Sequence, residues 1–246
     1  MSVYKRSDYL TEKKFHYCPG CTHGTVHRII ADVLQKLNSR ENIIGVASVG
    51  CSVFAYDYFN FDMQQAAHGR APAVATGIKR VLPDKTVFTY QGDGDLASIG
   101  LAEIIHAAAR NENITVIFIN NGTYGMTGGQ MAPTTTIGTK TTTCIHGRAA
   151  EVNGFPIKIC EMMATLDGTQ FVARTSCHDI KNIINTEKMI EKAFKHQLDK
   201  KGFSLIEVMS ICPTNFKMSA KQMNEQLKKN TLPHFPLGVF KKEISL

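Results

Sequence analysis

Two near-continuous apolar runs, KTVFTY over 85–90 and ITVIFI over 114–119, constrain the fold of this chain more than any other feature. Both are rich in β-branched and aromatic residues, as strands covered on both faces are. The stretch between them, LASIGLAEIIHAAARN, has helical spacing and predicts a helix over 98–110. The same alternation runs along the rest of the chain. Helices are expected over 22–38, over 71–82 with Pro83 as the stop, and over 179–198; strands are expected over 43–48, 171–176 and 203–210. Strands alternating with helices imply an α/β fold, a parallel sheet with helices on both faces in three layers. Right-handed crossovers then place the strand C-termini along one edge, where ligands bind.

The chain has 246 residues, 43% hydrophobic and 20% charged, which is length enough for a full core. No repeat or low-complexity tract appears, so a single domain over 1–246 is expected, with a basic extension from about 214 to 246. Net charge is +7, with much of the excess in that extension. Either the lysines form a solvated helix face, or they steer an acidic protein partner. There is no basic stripe interleaved with aromatics, so no nucleic-acid partner is expected. No apolar run approaches the ~20 residues of a membrane span, and the N-terminus lacks the apolar core of a signal peptide. A cytoplasmic protein without membrane attachment is therefore expected. Seven cysteines, an odd number, argue against a disulfide framework.

Chemistry concentrates at the ends of the two apolar runs. The first ends in Gly92-Asp93-Gly94 and the second in Asn120-Asn121-Gly122. If the strands are neighbours, an acid and an amide face one crevice. That donor set suits Mg²⁺ on a phosphate, which takes few protein oxygens and completes its shell from the substrate. Asp93 supplies charge, Asn121 a neutral oxygen, and the Thr123 carbonyl a third donor. Gly92 and Gly94 allow close main-chain approach to a diphosphate, and a helix beginning near Leu96 aims its first amides at the anion. The loop TYGMTGGQ offers further amides, with Thr127 and Gln130 as candidate contacts. The fingerprint G-x-G-x-x-G is absent, because the next glycine after Gly94 is Gly100. Gly-Asp-Gly and Asn-Asn within one crossover match the diphosphate motif of the thiamin diphosphate enzymes.

Cys18 and Cys21 form a Cys-x-x-Cys pair around a Pro-Gly turn. Alone, such a pair is open to zinc, disulfide exchange or an iron–sulfur cluster. Cys51 follows strand 43–48, and Cys212 follows strand 203–210 and precedes Pro213, so both belong to the edge that carries Asp93 and Asn121.

With these motifs in place, the chain resembles the β subunit of the 2-oxoacid:ferredoxin oxidoreductases, most closely the 2-oxoglutarate or branched-chain type. The likeness is carried by CPGCTHG, GCSVFAYDYF, HGRAPAVATGIK, GDGDLASIG, NNGTYGMTGGQ and CPTN, spread over nearly the whole length. The resemblance implies a thiamin diphosphate-binding fold holding that cofactor, Mg²⁺ and one [4Fe–4S] cluster. It places Mg²⁺ on Asp93, Asn121 and the Thr123 carbonyl, and the cluster on Cys18, Cys21, Cys51 and Cys212. It places the organic cofactor against Ser48, Gly50, Cys51, His68, Gly92, Asp93, Gly94, Asp95, Asn121, Thr123, Gly125, Met126 and Thr127. Cys144, Cys160 and Cys177 remain ordinary thiols. The loop His68-Gly69-Arg70 lies near the active site by resemblance, although His68 is equally suited to cap the next helix. His23 is read as a helix start rather than a partner of cluster sulfur, and His106 as a packed or surface residue. The run Tyr56, Tyr58, Phe59, Phe61 is read as core or subunit interface.

The implied reaction is oxidative decarboxylation of a 2-oxo acid to acyl-CoA and CO2, with electrons leaving through the cluster to ferredoxin. No catalytic side chain is assigned to this chain, because the thiamin ylid is the nucleophile. The carboxylate that activates the aminopyrimidine is expected from a partner α subunit, so a hetero-oligomer that is inactive without that subunit is expected. Two other readings stand beside it: the thiamin-binding subunit of a non-redox 2-oxoacid decarboxylase or synthase, and a non-catalytic iron–sulfur electron-transfer subunit.

Overall fold

A computed structural model of the chain describes residues 5–37 and 40–242. In chain order, helix α1 (His23–Leu37) leads to strand β1 (Ile43–Ala47), the short helix α2 (Ala55–Tyr58), strand β2 (Asp62–Gln65), helix α3 (Ala71–Val81) and strand β3 (Thr86–Gly92). Helix α4 (Leu101–Ala109), strand β4 (Thr115–Asn120) and a small hairpin of β5 (Thr123–Tyr124) and β6 (Gln130–Met131) follow. Next come α5 (Ala150–Asn153), α6 (Ile159–Ala164), β7 (Thr169–Ser176), α7 (Ile180–Leu198) and β8 (Phe203–Met209). The chain closes with α8 (Pro213–Phe216), α9 (Ala220–Gln226) and β9 (Gly238–Lys241).

Seven strands form one sheet in the order β2-β1-β3-β4-β8-β7-β9, parallel except for β9. The expected three layers are present. Along β3, Phe88 and Tyr90 join the apolar cluster that includes Ile30, Leu34 and Phe194 from α1 and α7. Val87, the residue before Phe88, joins the opposite cluster with Ala71, Ala75, Ile104 and Ala108 from α3 and α4. Alternation of side chains across the sheet thus feeds both faces, which is why the strand reads as continuously apolar. Tyr58 and Phe59 are core residues and Phe61 packs against them, while Tyr56 is exposed. His106 is a surface residue.

Four details depart from the sequence-based expectation. The helix expected over 98–110 opens with a wide π-type turn, Asp95–Ile99, closed by the Gly100 N–H on the Asp95 carbonyl at 2.9 Å. A Cβ on Gly100 would lie 2.8 Å from the Gly69 carbonyl oxygen, so the chain turns here to clear that loop. β2 carries the polar sequence DMQQ and was illegible as a strand; it is the sheet edge, where polar side chains meet solvent. The basic C-terminal stretch packs back on the sheet. Met223, Leu227 and Phe235 bury against Met209 and Ile211, and β9 pairs antiparallel with β7. Its last four residues, and Asn38 at the end of the first expected helix, lie outside the described residues. Among the described residues, no helix is long and apolar enough to cross a membrane.

One buried ionic network ties β7 to β8 and to the loop edge. Arg174 is fully buried and donates to Glu207 Oε2 at 2.7 Å and to both carboxylate oxygens of Glu161, at 3.0 and 2.5 Å. Glu207 in turn accepts from Asn120 Nδ2 at 2.7 Å. Removing one partner of a buried pair leaves an uncompensated charge, at a cost of ~3–5 kcal/mol. Arg174→Leu is expected to lower the unfolding free energy by about that amount, and adding Glu207→Leu to recover part of it. Denaturant titration of the two variants measures both; equal losses in single and double variants would show that the charge pair is not the cause.

Candidate active site

Pairing of Gly92 with Ile119 and of Asn120 with Met209 brings the ends of β3, β4 and β8 to one edge of the sheet. Asp93 and Asn121 leave adjacent strand ends there. Asp93 is 2% exposed. Its Oδ1 accepts the Gly94 N–H at 2.8 Å, and its Oδ2 accepts the Gly122 N–H at 2.7 Å and Thr134 Oγ1 at 2.9 Å. Burial pushes its carboxyl up to about 6, against these three bonds, which stabilise the carboxylate. Asn121 Oδ1 accepts the Thr123 N–H at 3.0 Å, and Thr123 Oγ1 donates to the Gln130 carbonyl at 2.8 Å. The glycine-rich loop is therefore the tip of the β5–β6 hairpin. Thr127 Oγ1 and Gln130 Oε1 are 2.6 Å apart, so Gln130 fixes the tip instead of lining the cleft.

A cleft of about 510 Å³ opens at this edge. It is lined by Gly50, Cys51, His68, Gly92, Asp93, Gly94, Asp95, Asn121, Thr123, Gly125, Met126 and Thr127, together with His23, Val49, Ser52 and Tyr124. Twelve of the thirteen residues assigned to the organic cofactor thus face one space, and the exception, Ser48, lies fully buried behind it. A Cβ on Gly92 would meet nothing, which leaves the main chain open to a ligand. Gly94 is required for a different reason: a Cβ there would lie 2.4 Å from the Tyr124 ring.

Asp95 organises the wall rather than pointing into the cleft with free oxygens. Its Oδ1 accepts from Ser48 Oγ at 2.8 Å, His68 Nδ1 at 2.6 Å and the Gly69 N–H at 2.6 Å, and its Oδ2 accepts from Gln91 Nε2 at 2.5 Å. His68 does not cap α3; Arg70 occupies that position, without a side-chain cap. Asp95 orients the His68 ring through its Nδ1 and leaves Nε2 outside that contact.

The four cysteines Cys18, Cys21, Cys51 and Cys212 line a second pocket of about 460 Å³. His23, Cys51, Asn121 and Gly125 line both spaces, so one wall separates them. Burial pushes the Cys51 thiol up to about 12 and Cys21 up to about 11, and in both the neighbouring thiols add to the shift. Cys212 is raised by burial too, while its Sγ accepts from Asn215 Nδ2 at 3.2 Å. Among the described residues, no group of three or more His, Cys, Asp or Glu side chains stands close enough to hold a single metal ion. His23 begins α1 as expected, but its ring also does more than that. It is 2% exposed, its Nδ1 is 2.6 Å from the Tyr90 hydroxyl, and burial lowers its pKa to about 3, so it is a neutral group in the shared wall. The sequence signal for it was its place two residues after Cys21. Cys160 is buried, and Cys144 and Cys177 lie away from the thiol pocket's lining.

Residues 48–208 match the family described as "Thiamine pyrophosphate enzyme, C-terminal TPP binding domain". The chain is 40% identical over 236 residues to the 2-oxoglutarate synthase subunit KorB of Methanocaldococcus jannaschii, covering 93% of this chain and 82% of that one. It is 45% identical over 239 residues to the ketoisovalerate oxidoreductase subunit VorA of Methanothermobacter thermautotrophicus, covering 97% of this chain. The chain belongs to the 2-oxoacid:ferredoxin oxidoreductase family. It spans about half the length of the VorA relative. Its fold superposes on a 2-oxoglutarate:ferredoxin oxidoreductase of Magnetococcus marinus, solved with 2-oxoglutarate, coenzyme A and succinyl-CoA bound, with a TM-score of 0.80 and 25% identity over 100% of this chain and 87% of that one. The matched region begins at Ser48 and ends in β8, and it carries most of the residues that line the cleft here.

Proposed function

We propose that this chain is the thiamin diphosphate-binding β subunit of an enzyme that oxidatively decarboxylates a 2-oxo acid to acyl-CoA and CO2. Electrons leave through a [4Fe–4S] cluster on Cys18, Cys21, Cys51 and Cys212 to ferredoxin. The observation that carries this reading is the shared wall: a carboxylate–amide cleft and a four-thiol pocket meet at Cys51, His23, Asn121 and Gly125. A non-redox decarboxylase has no use for the thiol pocket, and an electron-transfer subunit has none for the Asp93–Asn121 cleft.

The residues fit the groups assigned to them. Asp93, the Asn121 amide oxygen and the Thr123 carbonyl form the oxygen set for Mg²⁺, which completes its shell on the diphosphate. Gly92 offers the diphosphate an approach without a side chain. A cluster of four irons spreads its thiolates more widely than a single zinc ion, with Zn–S near 2.3 Å, would draw them. Four thiols around one pocket supply the four ligands such a cluster takes. The bound thiamin diphosphate supplies an electron sink for the carbon that loses CO2. His68, held by Asp95, presents its ring to the cleft, and the neutral His23 fills the wall between the two sites.

Among the described residues no lysine or arginine lines the cleft, and Val49 and Met126 line it while 38% and 44% exposed. That surface suits an apolar substrate side chain better than a second carboxylate, and favours branched-chain 2-oxo acids over 2-oxoglutarate. The same exposed apolar rim supports a partner α subunit that covers it and brings the missing carboxylate. Purified anaerobically without that subunit, the chain is expected to carry iron and sulfide yet reduce no ferredoxin with any 2-oxo acid and coenzyme A. Adding the α subunit should restore turnover, with 2-oxoisovalerate ahead of 2-oxoglutarate in kcat/KM. Turnover without the α subunit would overturn the two-subunit site.

A further inference from the structure

The outer end of the thiol pocket opens on a basic surface. Cys18 is exposed, and the Cys21 N–H closes the Cys18–Cys21 turn on the Cys18 carbonyl at 2.9 Å. Gly20 in that turn has φ +80°, and a Cβ on it would lie 2.6 Å from the Cβ of Ala220. Ala220 opens α9, so the turn and the start of this helix are pressed together. Lys221 directly follows Ala220 in α9, Lys217 lies three residues before it in the chain, and both are exposed. Beyond α8 a groove is lined by Lys140, Lys217 and the exposed apolar side chains of Ile137, Ile145 and Met218. Asn215 lines both this groove and the thiol pocket. Glu225 meets Lys228 at 3.6 Å and Asp179 also faces it, while among the described residues no acid forms an ion pair with Lys140, Lys217 or Lys221.

We infer that this face, an apolar groove lined by Lys140 and Lys217 together with the start of α9, which carries Lys221 beside the exposed Cys18 turn, is the docking surface for a small acidic electron-carrier protein. The inference rests on the function proposed above. An apolar centre within a charged rim is the anatomy of a specific but transient interface. Rim charges of one sign steer an oppositely charged partner and set its association rate more than its final affinity. Position adds a second argument: an acceptor seated here meets the cluster at Cys18, its most exposed ligand. One electron then passes from the reduced cluster to the oxidised iron–sulfur centre of the carrier, and two such transfers follow each 2-oxo acid oxidised.

The test uses the assembled complex with the triple variant Lys140→Gln, Lys217→Gln, Lys221→Gln and an acidic ferredoxin. KM for ferredoxin is expected to rise about tenfold or more, with the 2-oxo acid-dependent reduction of benzyl viologen unchanged, because the dye needs no docking. Binding of oxidised ferredoxin to the complex, followed by calorimetry, should weaken in parallel. In the wild type it should also weaken as salt rises from about 0.01 M to about 0.15 M, and the variant should lose most of that dependence. An unchanged KM and binding curve would overturn the docking surface. So would loss of subunit assembly, which would assign this face to the α subunit. Failure of the wild-type complex to reduce viologen would instead sink the proposed reaction, while the calorimetry would still judge the surface.

Discussion

Asp93→Asn is expected to abolish retention of thiamin diphosphate and leave the fold in place. Asp93 is the one carboxylate of the cleft whose oxygens sit beside Asn121 and Thr123; Asp95 is consumed by four donors from the wall. Substituting asparagine removes the charge that a hard cation requires but keeps an oxygen and the side-chain shape. Loss of an outer partner of a metal ligand already costs about 10–100-fold in affinity, so loss of the charged ligand should cost at least about 100-fold. The fold should tolerate the change. Burial already pushes the Asp93 carboxyl up to about 6, so a neutral side chain relieves a desolvation cost, and the Gly122 and Thr134 donors keep an acceptor. One amide–amide conflict with the Gly94 N–H remains, worth about 1 kcal/mol. Fluorescence titration with Mg²⁺ and thiamin diphosphate, beside denaturant unfolding, reads both effects. Full cofactor content in purified Asp93→Asn protein would show that the cation is held elsewhere.

The second large effect is expected at the thiols. Serine in place of Cys18, Cys21, Cys51 or Cys212 should each remove or degrade the cluster and bleach the visible absorbance, because a ligand must be a thiolate. Burial raises the Cys21, Cys51 and Cys212 thiols, so these three are protonated in the cluster-free pocket at neutral pH and cluster binding releases protons there. Cys144→Ser, Cys177→Ser and Cys160→Ala should keep full iron; alanine is the control at Cys160 because the site is fully buried and alanine adds no polar group to it. Cys18→Ser and Cys212→Ser should also keep thiamin diphosphate, since neither lines the diphosphate cleft. Cys51→Ser touches both sites and is the less clean variant. Full iron and sulfide in Cys212→Ser would break the four-thiol assignment. One zinc per chain, without iron, in anaerobically prepared wild type would replace the cluster with a structural ion and end the redox half of the proposal.

Much of this was legible in the sequence because it is written in local pattern. The strands at 86–92, 115–120, 169–176 and 203–209 are covered on both faces, so every position is under the same demand for apolar residues. Gly-Asp-Gly and Asn-Asn-Gly are short, contiguous and sit where those strands stop, so their register followed once the strands were placed. β2 and β9 were not legible. An edge strand has one neighbour and one wet side, and neither DMQQ nor GVFK carries a distinctive pattern.

What the sequence determined by itself was the α/β class, the Asp93–Asn121 pair and the four cysteines as candidates. What only the tertiary structure decided was which groups are spent on holding others. Asp95 looks in sequence like a second ligand to the diphosphate site, yet its oxygens are taken by Ser48, His68, Gly69 and Gln91, three of them far along the chain. Gly94 looks like a ligand-clearance glycine, yet it clears Tyr124. His23 looks like a helix start, yet it stands in the wall between the two sites. The basic tail looks like an appendage, yet Met223, Leu227 and Phe235 anchor it and Ala220 at the start of α9 packs against Gly20 of the Cys18 turn. A side chain's type is fixed by its codon, but whether its polar atoms are free depends on which neighbours long-range packing brings within hydrogen-bond distance.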